Sequence, residues 1–97
     1  MVTLFRSMSE TEVTGIAKTG VFDAGFNMSG KWFSTTLEDA SKWSATLNGN
    51  TRIVSVTLPK SILESAYYSK NLDNISPAYY FELDILNSSF GKVTVVK

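Results

Sequence analysis

Hydrophobic and polar positions alternate from the first residues. Val2, Leu4 and Arg6 fall on one side and Thr3 and Phe5 on the other, the two-residue period of a strand over 2–6 that ends on Arg6. Ser9-Glu10-Thr11-Glu12 matches a capping box, with Ser9 as N-cap and Glu12 three positions on. Met8 and Val13 occupy the staple positions, Val13, Ile16 and Ala17 form an apolar stripe, and Gly20 fits a left-handed stop, so a helix is predicted over 10–19. Residues 21–30 are irregular and carry Gly25 and Gly30, which predicts a loop, either a plain connection or one able to move over a ligand. Lys31 to Ser34 reads as a short strand. Thr35 or Thr36 caps the next helix, whose first turn carries Glu38 and Asp39 where carboxylates favour the dipole. Leu37, Ala40, Trp43 and Leu47 space as its buried face, and Asn48-Gly49-Asn50 ends it.

The second half begins with the clearest strand, Arg52 to Leu58, which is β-branched and alternating. Pro59 opens a short helix expected to run to about Tyr68, and the polar stretch 69–78 reads as a loop. Tyr79 to Leu86 is predicted as a strand, Asn87-Ser88-Ser89 as a turn, and Gly91 to Val96 as a final strand. This order predicts an α+β fold, a mostly antiparallel sheet with three short helices packed on it.

At 97 residues the chain makes one domain, 1–97. Its beginning directly in a strand pattern, without a signal peptide, leads us to expect a domain from the C-terminal part of a larger protein. No apolar run is long enough for a membrane helix. Nine basic and nine acidic residues cancel, so nothing in the net charge draws the chain to nucleic acid or an anionic membrane. The absence of cysteine removes disulfides, thiolate nucleophiles and cysteine-bound zinc. The absence of histidine removes the usual general base and the commonest metal ligand.

Three strings are left to carry chemistry: Leu4-Phe5-Arg6, Phe33-Ser34-Thr35-Thr36 and Phe81-Glu82-Leu83-Asp84. An arginine fork at a strand end suits a phosphate, and equally a surface ion pair. The hydroxyl cluster stands at a strand-to-helix junction, where it can cap the helix and where free backbone N–H groups also meet anions. On a continuous strand, Glu82 and Asp84 would share the face opposite Phe81, Leu83 and Ile85, either as a solvated edge or as a site. Trp32, Phe33, Tyr79 and Tyr80 flank these strings; Tyr79 or Tyr80 is the better candidate for stacking on a ligand ring, and Phe33 and Trp43 for the core.

Taken together with Gly30-Lys31-Trp32, Arg52-Ile53-Val54-Ser55-Val56 and Ser76-Pro77-Ala78-Tyr79-Tyr80, these strings resemble the C-terminal toxin domains of bacterial polymorphic toxins, of the Rhs and contact-dependent types. The resemblance is to ADP-ribosyltransferases of the arginine–serine–glutamate type. It implies a split antiparallel sheet, NAD as co-substrate with no metal, and transfer of ADP-ribose to a macromolecule of a target bacterium. The implied acceptor is a protein, such as elongation factor Tu, and the implied partner a cognate immunity protein. A secretion system would deliver the toxin into the target cytoplasm.

Residue by residue, the resemblance implies that Arg6, with Ser7 beside it, binds NAD. Ser34 would orient the catalytic carboxylate, with Thr35 and Thr36 in support and Tyr79 or Tyr80 stacking on the ligand. Glu82 would be that carboxylate. The family places two acidic or amide positions two residues apart, usually with the catalytic glutamate second; here glutamate comes first and Asp84 second, so either acid can take the role, Glu82 being preferred for its reach. The lack of histidine argues against the diphtheria-like subclass, which has one in place of Arg6. The alternatives are an NAD glycohydrolase on the same fold, a metal-independent toxin ribonuclease, which the neutral charge disfavours, and a binding module without catalysis.

Overall fold

The structure, a computed structural model, describes residues 1–22, 30–46 and 49–97. Along the chain these form β1 (Val2–Met8), α1 (Glu10–Thr19), β2 (Gly30–Ser34), α2 (Leu37–Thr46), β3 (Arg52–Leu58), α3 (Lys60–Leu63), β4 (Tyr67–Leu72), β5 (Ser76–Glu82), α4 (Leu83–Ser89) and β6 (Val93–Val95). The strands make one antiparallel sheet in the order β4-β5-β2-β1-β3-β6. The expected α+β class holds, with four helices among the described residues where three were expected.

The sheet is unevenly joined. β1 pairs with β3 along its whole length, from Val2↔Leu58 to Met8↔Arg52. β2 pairs with β5 from Gly30↔Glu82 to Ser34↔Ala78. Between β1 and β2 there is one residue pair, Phe5↔Ser34. Two three-stranded halves therefore meet at a single rung.

Alternate residues of both halves build one core. Leu4 and Met8 of β1, Val54, Val56 and Leu58 of β3, Phe33 of β2 and Phe81 of β5 bury on the same face, covered by Ile16 of α1 and Leu86 of α4. Within the core that both halves share, Phe33 makes edge-on contacts with Phe22 at 5.9 Å and Phe81 at 5.7 Å, an arrangement that suits the ring quadrupoles. On the opposite face α2 lies across the junction. Its Ser44 hydroxyl meets the Ser7 hydroxyl of β1 at 2.8 Å, while Trp43 Nε1 donates to Ser76 Oγ of β5 at 3.0 Å.

The helix over 10–19 and the strand over 52–58 match the sequence pattern residue for residue. Ser9 caps α1 by accepting from the Glu12 N–H, and Gly20, at φ 76°, closes it in the left-handed region that glycine tolerates. Thr36 is the residue that caps α2, its Oγ1 accepting the Asp39 N–H at 3.1 Å. Leu37, expected on the buried face of α2, is 40% exposed, whereas Ala40 is buried. Leu47, Asn48 and all of the expected loop from 23 to 29, Gly25 included, lie outside the described residues.

Three expectations in the second half need correction. The helix after Pro59 is only Lys60–Leu63, and Tyr67–Leu72 is the edge strand β4. The expected loop 69–78 is the β4–β5 hairpin, turned at Asp73 and Asn74 with φ of 51° and 60°, values asparagine and aspartate accept more readily than most residues. The strand expected to reach Leu86 stops at Glu82, and Leu83–Ser89 is helical. Leu83 and Leu86, three apart, both pack on the core from α4, which a strand would have placed on opposite faces.

Candidate functional site at the sheet junction

Where β1 and β2 part, a cleft of about 330 Å³ opens, lined by Phe5, Arg6 and Ser7 of β1 and Trp32, Phe33 and Ser34 of β2. Glu12 of α1, Trp43 of α2, Asn50, Leu72, Asp73 and Ala78 complete the lining. The cleft exists because the backbone ladder stops after one rung, and side chains take over the connection.

Arg6 makes the principal connection. Its Nη1 donates across the junction to the Trp32 carbonyl at 3.0 Å. Its Nε and Nη2 donate side-on to the two carboxylate oxygens of Glu12, at 2.8 and 3.2 Å. Such two-point geometry fits a planar guanidinium to a planar carboxylate. Lys31 Nζ approaches the same Glu12 Oε2 at 3.8 Å, with its side chain 4% exposed. The Glu12 carboxylate on the cleft wall thus meets Arg6 closely and Lys31, which does not line the cleft, at longer range. Ser7, buried, is fixed by Ser44, and its carbonyl accepts from Asn50 Nδ2 at 3.2 Å.

Of the residues expected to form the site, Arg6, Ser7 and Ser34 do share the cleft. They come from both halves of the sheet. Thr35, half-buried just beyond β2, does not line it. Tyr79 turns to the core side, in ring contact with Tyr68 at 4.8 Å and stacked with Phe81 at 6.4 Å. Tyr80 packs against Trp32 at 5.1 Å on the other face and borders a separate shallow depression with Tyr67 and Glu82.

Glu82 does not line the cleft; it is exposed at the far end of the β2–β5 ladder, paired with Gly30. Ser34 stands four rungs away, roughly 13 Å at the rise of a strand, and its own partner is Ala78. The expected contact between Ser34 and the Glu82 carboxylate is therefore not made. Nor do Glu82 and Asp84 share a strand face: Asp84 belongs to the first turn of α4, where its Oδ1 accepts the Ile85 N–H at 2.9 Å. What Ser34, Trp32, Tyr80 and Glu82 do share is one face of the β2–β5 ladder, by the two-residue alternation.

Sequence reasoning missed Glu12, Lys31 and Asn50. Glu12 carries the signature of a capping box, and its backbone keeps that role; its carboxylate goes to Arg6 instead, a choice that depends on how α1 docks against β1. Trp43, expected in the core, is half-buried on the cleft wall. Among the described residues no group of three acidic side chains could hold a metal. No helix among them is long and apolar enough to cross a membrane. Searches of protein-family models, of curated proteins and of solved structures find no match to this chain.

Proposed function

We propose that the domain is an ADP-ribosyltransferase of the polymorphic-toxin kind, with NAD bound in the cleft at the sheet junction. The observation that carries this reading is the meeting of Arg6 and Ser34, 28 positions apart in sequence, on one cleft where the two halves of the sheet part. A parted antiparallel sheet is also what the resemblance implies of the fold. The cleft volume lies at the lower end of the range for small-molecule sites, roughly 300–1,000 Å³, a fit for one half of a dinucleotide. The rest of the ligand would run over Trp32 along the face shared with Tyr80 and Glu82.

In this reading the indoles of Trp32 and Trp43 offer surfaces for an aromatic ring. Arg6 holds the anionic part of the ligand, and Glu82 stabilises the positive charge that develops on the ribose as the nicotinamide bond breaks. The acceptor would be a protein of a target bacterium and the immunity protein would cover the cleft.

A second reading, a nucleotide-binding module without turnover, is favoured by the Ala78 that stands opposite Ser34 where an oriented carboxylate would be wanted. One experiment separates the two. Purified protein is incubated with NAD, with and without bacterial lysate, and nicotinamide release and ADP-ribose labelling are followed. Transfer predicts labelling that drops about a hundredfold or more in Arg6→Ala and in Glu82→Gln, the size expected for loss of one electrostatic contact in the transition state. Nicotinamide release without any labelled macromolecule identifies a glycohydrolase. Binding of NAD with no release in either condition would sink catalysis and leave the module.

A further inference from the structure

We propose that the junction cleft takes a planar organic cation bearing N–H donors, of the amidinium or guanidinium kind, bedded on the indoles of Trp32 and Trp43 and answered by the Asp73 carboxylate. The inference goes beyond the reading of the cleft as an NAD site and does not rest on it.

Charge gives the first argument. By the two-residue alternation, Phe5 and Ser7 of β1 and Trp32 and Ser34 of β2 turn to the α2 side of the sheet, while Arg6 falls on the core side with Leu4 and Met8. Arg6 meets Glu12 at 2.8 and 3.2 Å, so these two charges cancel within the wall. Asp73, exposed at the β4–β5 turn, is the remaining charged residue of the lining. Its carboxylate forms no ion pair or hydrogen bond with another described residue. The lining thus keeps one uncompensated negative charge, and its complement is a cation. The indole offers the best aromatic face to a cation, and both tryptophans of the chain line the cleft, each half-buried.

The open hydrogen-bonding groups point the same way. Ser34 is 4% exposed and lines the cleft, yet its hydroxyl has no partner among the described residues. A polar group so deeply placed is nearly always bonded, so this hydroxyl is one that a ligand completes. Asn50 spends its Nδ2 on the Ser7 carbonyl, which leaves its Oδ1 as an open acceptor in the same cleft. Asp73 adds two carboxylate oxygens. A lining whose open groups are mostly acceptors calls for a ligand rich in donors. Ser34 pairs with Ala78, and the hairpin turns at Asp73 just beyond the Leu72↔Ser76 pair. Ser34 and Asp73 therefore stand towards the same end of the sheet, away from Glu82.

Benzamidine and benzamide test this, because they share a shape and differ in charge. Both tryptophans line the cleft, so their fluorescence reports its occupancy in the full chain without any nucleotide. Benzamidine should bind about tenfold more tightly than benzamide, the scale of one charge contact beside an aromatic face. Asp73→Asn should remove most of that difference, weakening benzamidine about five- to tenfold and leaving benzamide unchanged. Asparagine accepts the left-handed backbone of this position, φ 51°, so the turn is kept. Ser34→Ala should weaken both probes about fivefold, the loss of one hydrogen bond. Glu64→Gln, which removes an exposed carboxylate outside the cleft, should change neither. Equal affinity for the two probes would overturn the inference, as would the absence of benzamidine binding. So would benzamidine binding that ignores Asp73→Asn or falls as far in Glu64→Gln. No NAD enters the titration, so its failure leaves the transferase reading standing, and failure of that reading leaves its outcome unchanged.

Discussion

On one side β1 is bonded to β3 through seven successive residue pairs; on the other it meets β2 at Phe5 and Ser34 alone. The first contact is backbone, repetitive and indifferent to side-chain identity. The second is made by particular side chains: Arg6 to the Trp32 carbonyl below, and Ser44 and Trp43 of α2 pinning the two halves from above. A continuous ladder leaves no room between strands. A ladder that stops after one rung leaves a cleft, and among the side chains that line it Arg6 and Asn50 donate to backbone carbonyls of the parted strands, Trp32 and Ser7. The continuous ladder and the cleft thus lie on different edges of the same strand.

The contrast can be broken most severely from the core. Phe33→Ala, in the core common to both halves, should cost about 3–5 kcal/mol in denaturant unfolding, and should unfold both halves together because they share that core. Separate transitions for the two halves would contradict a single core.

Gly30→Ala comes next. A methyl group there would sit 2.7 Å from the Tyr80 ring and still closer to the Phe81 carbonyl. The carbonyl is backbone and cannot swing away, so the substitution should destabilise by about 3 kcal/mol. The damage should be confined to the β2–β5 ladder, with amide exchange accelerating there before it does between β1 and β3. Uniform acceleration would mean that the halves are not separable in this way.

The smallest effect sharpens the comparison at the junction itself. Ser7→Ala removes the hydrogen bond to Ser44 and should cost about 1 kcal/mol in thermal unfolding, with Trp43→Phe costing a similar amount by releasing Ser76. Because both bonds hold α2 over one junction, the double variant should depart from additivity by about 0.5 kcal/mol or more. Strict additivity would show that α2 does not tie the halves together.

Much of this architecture was legible in the chain. α1 was readable to the residue because Ser9 and Gly20 act locally, through a side-chain cap and a backbone conformation that need no partner. β3 was readable because a strand flanked on both sides shows its β-branched run in the sequence. β4 was not, because an edge strand with little burial carries no alternation to detect. The end of β5 was not, because Phe81-Glu82-Leu83-Asp84 alternates as a strand does, while Leu83 and Leu86 find the core only when the chain turns into α4.

The site divides in the same way. Local pattern was enough to place Arg6 on the first strand, though that strand runs on to Met8 rather than ending at Arg6, to put Ser34 at a strand-to-helix junction, and to close histidine, thiol and cysteine–zinc chemistry to this chain. It took the packing of distant segments to bring Arg6 and Ser34 to one cleft, to set Glu82 four rungs from Ser34, and to put the Glu12 carboxylate against Arg6 on the cleft wall. The physical reason is range. Caps, turns and alternation are settled between residues a few positions apart, whereas the partner of a charge is set by strand register and helix docking, which emerge only when distant segments pack.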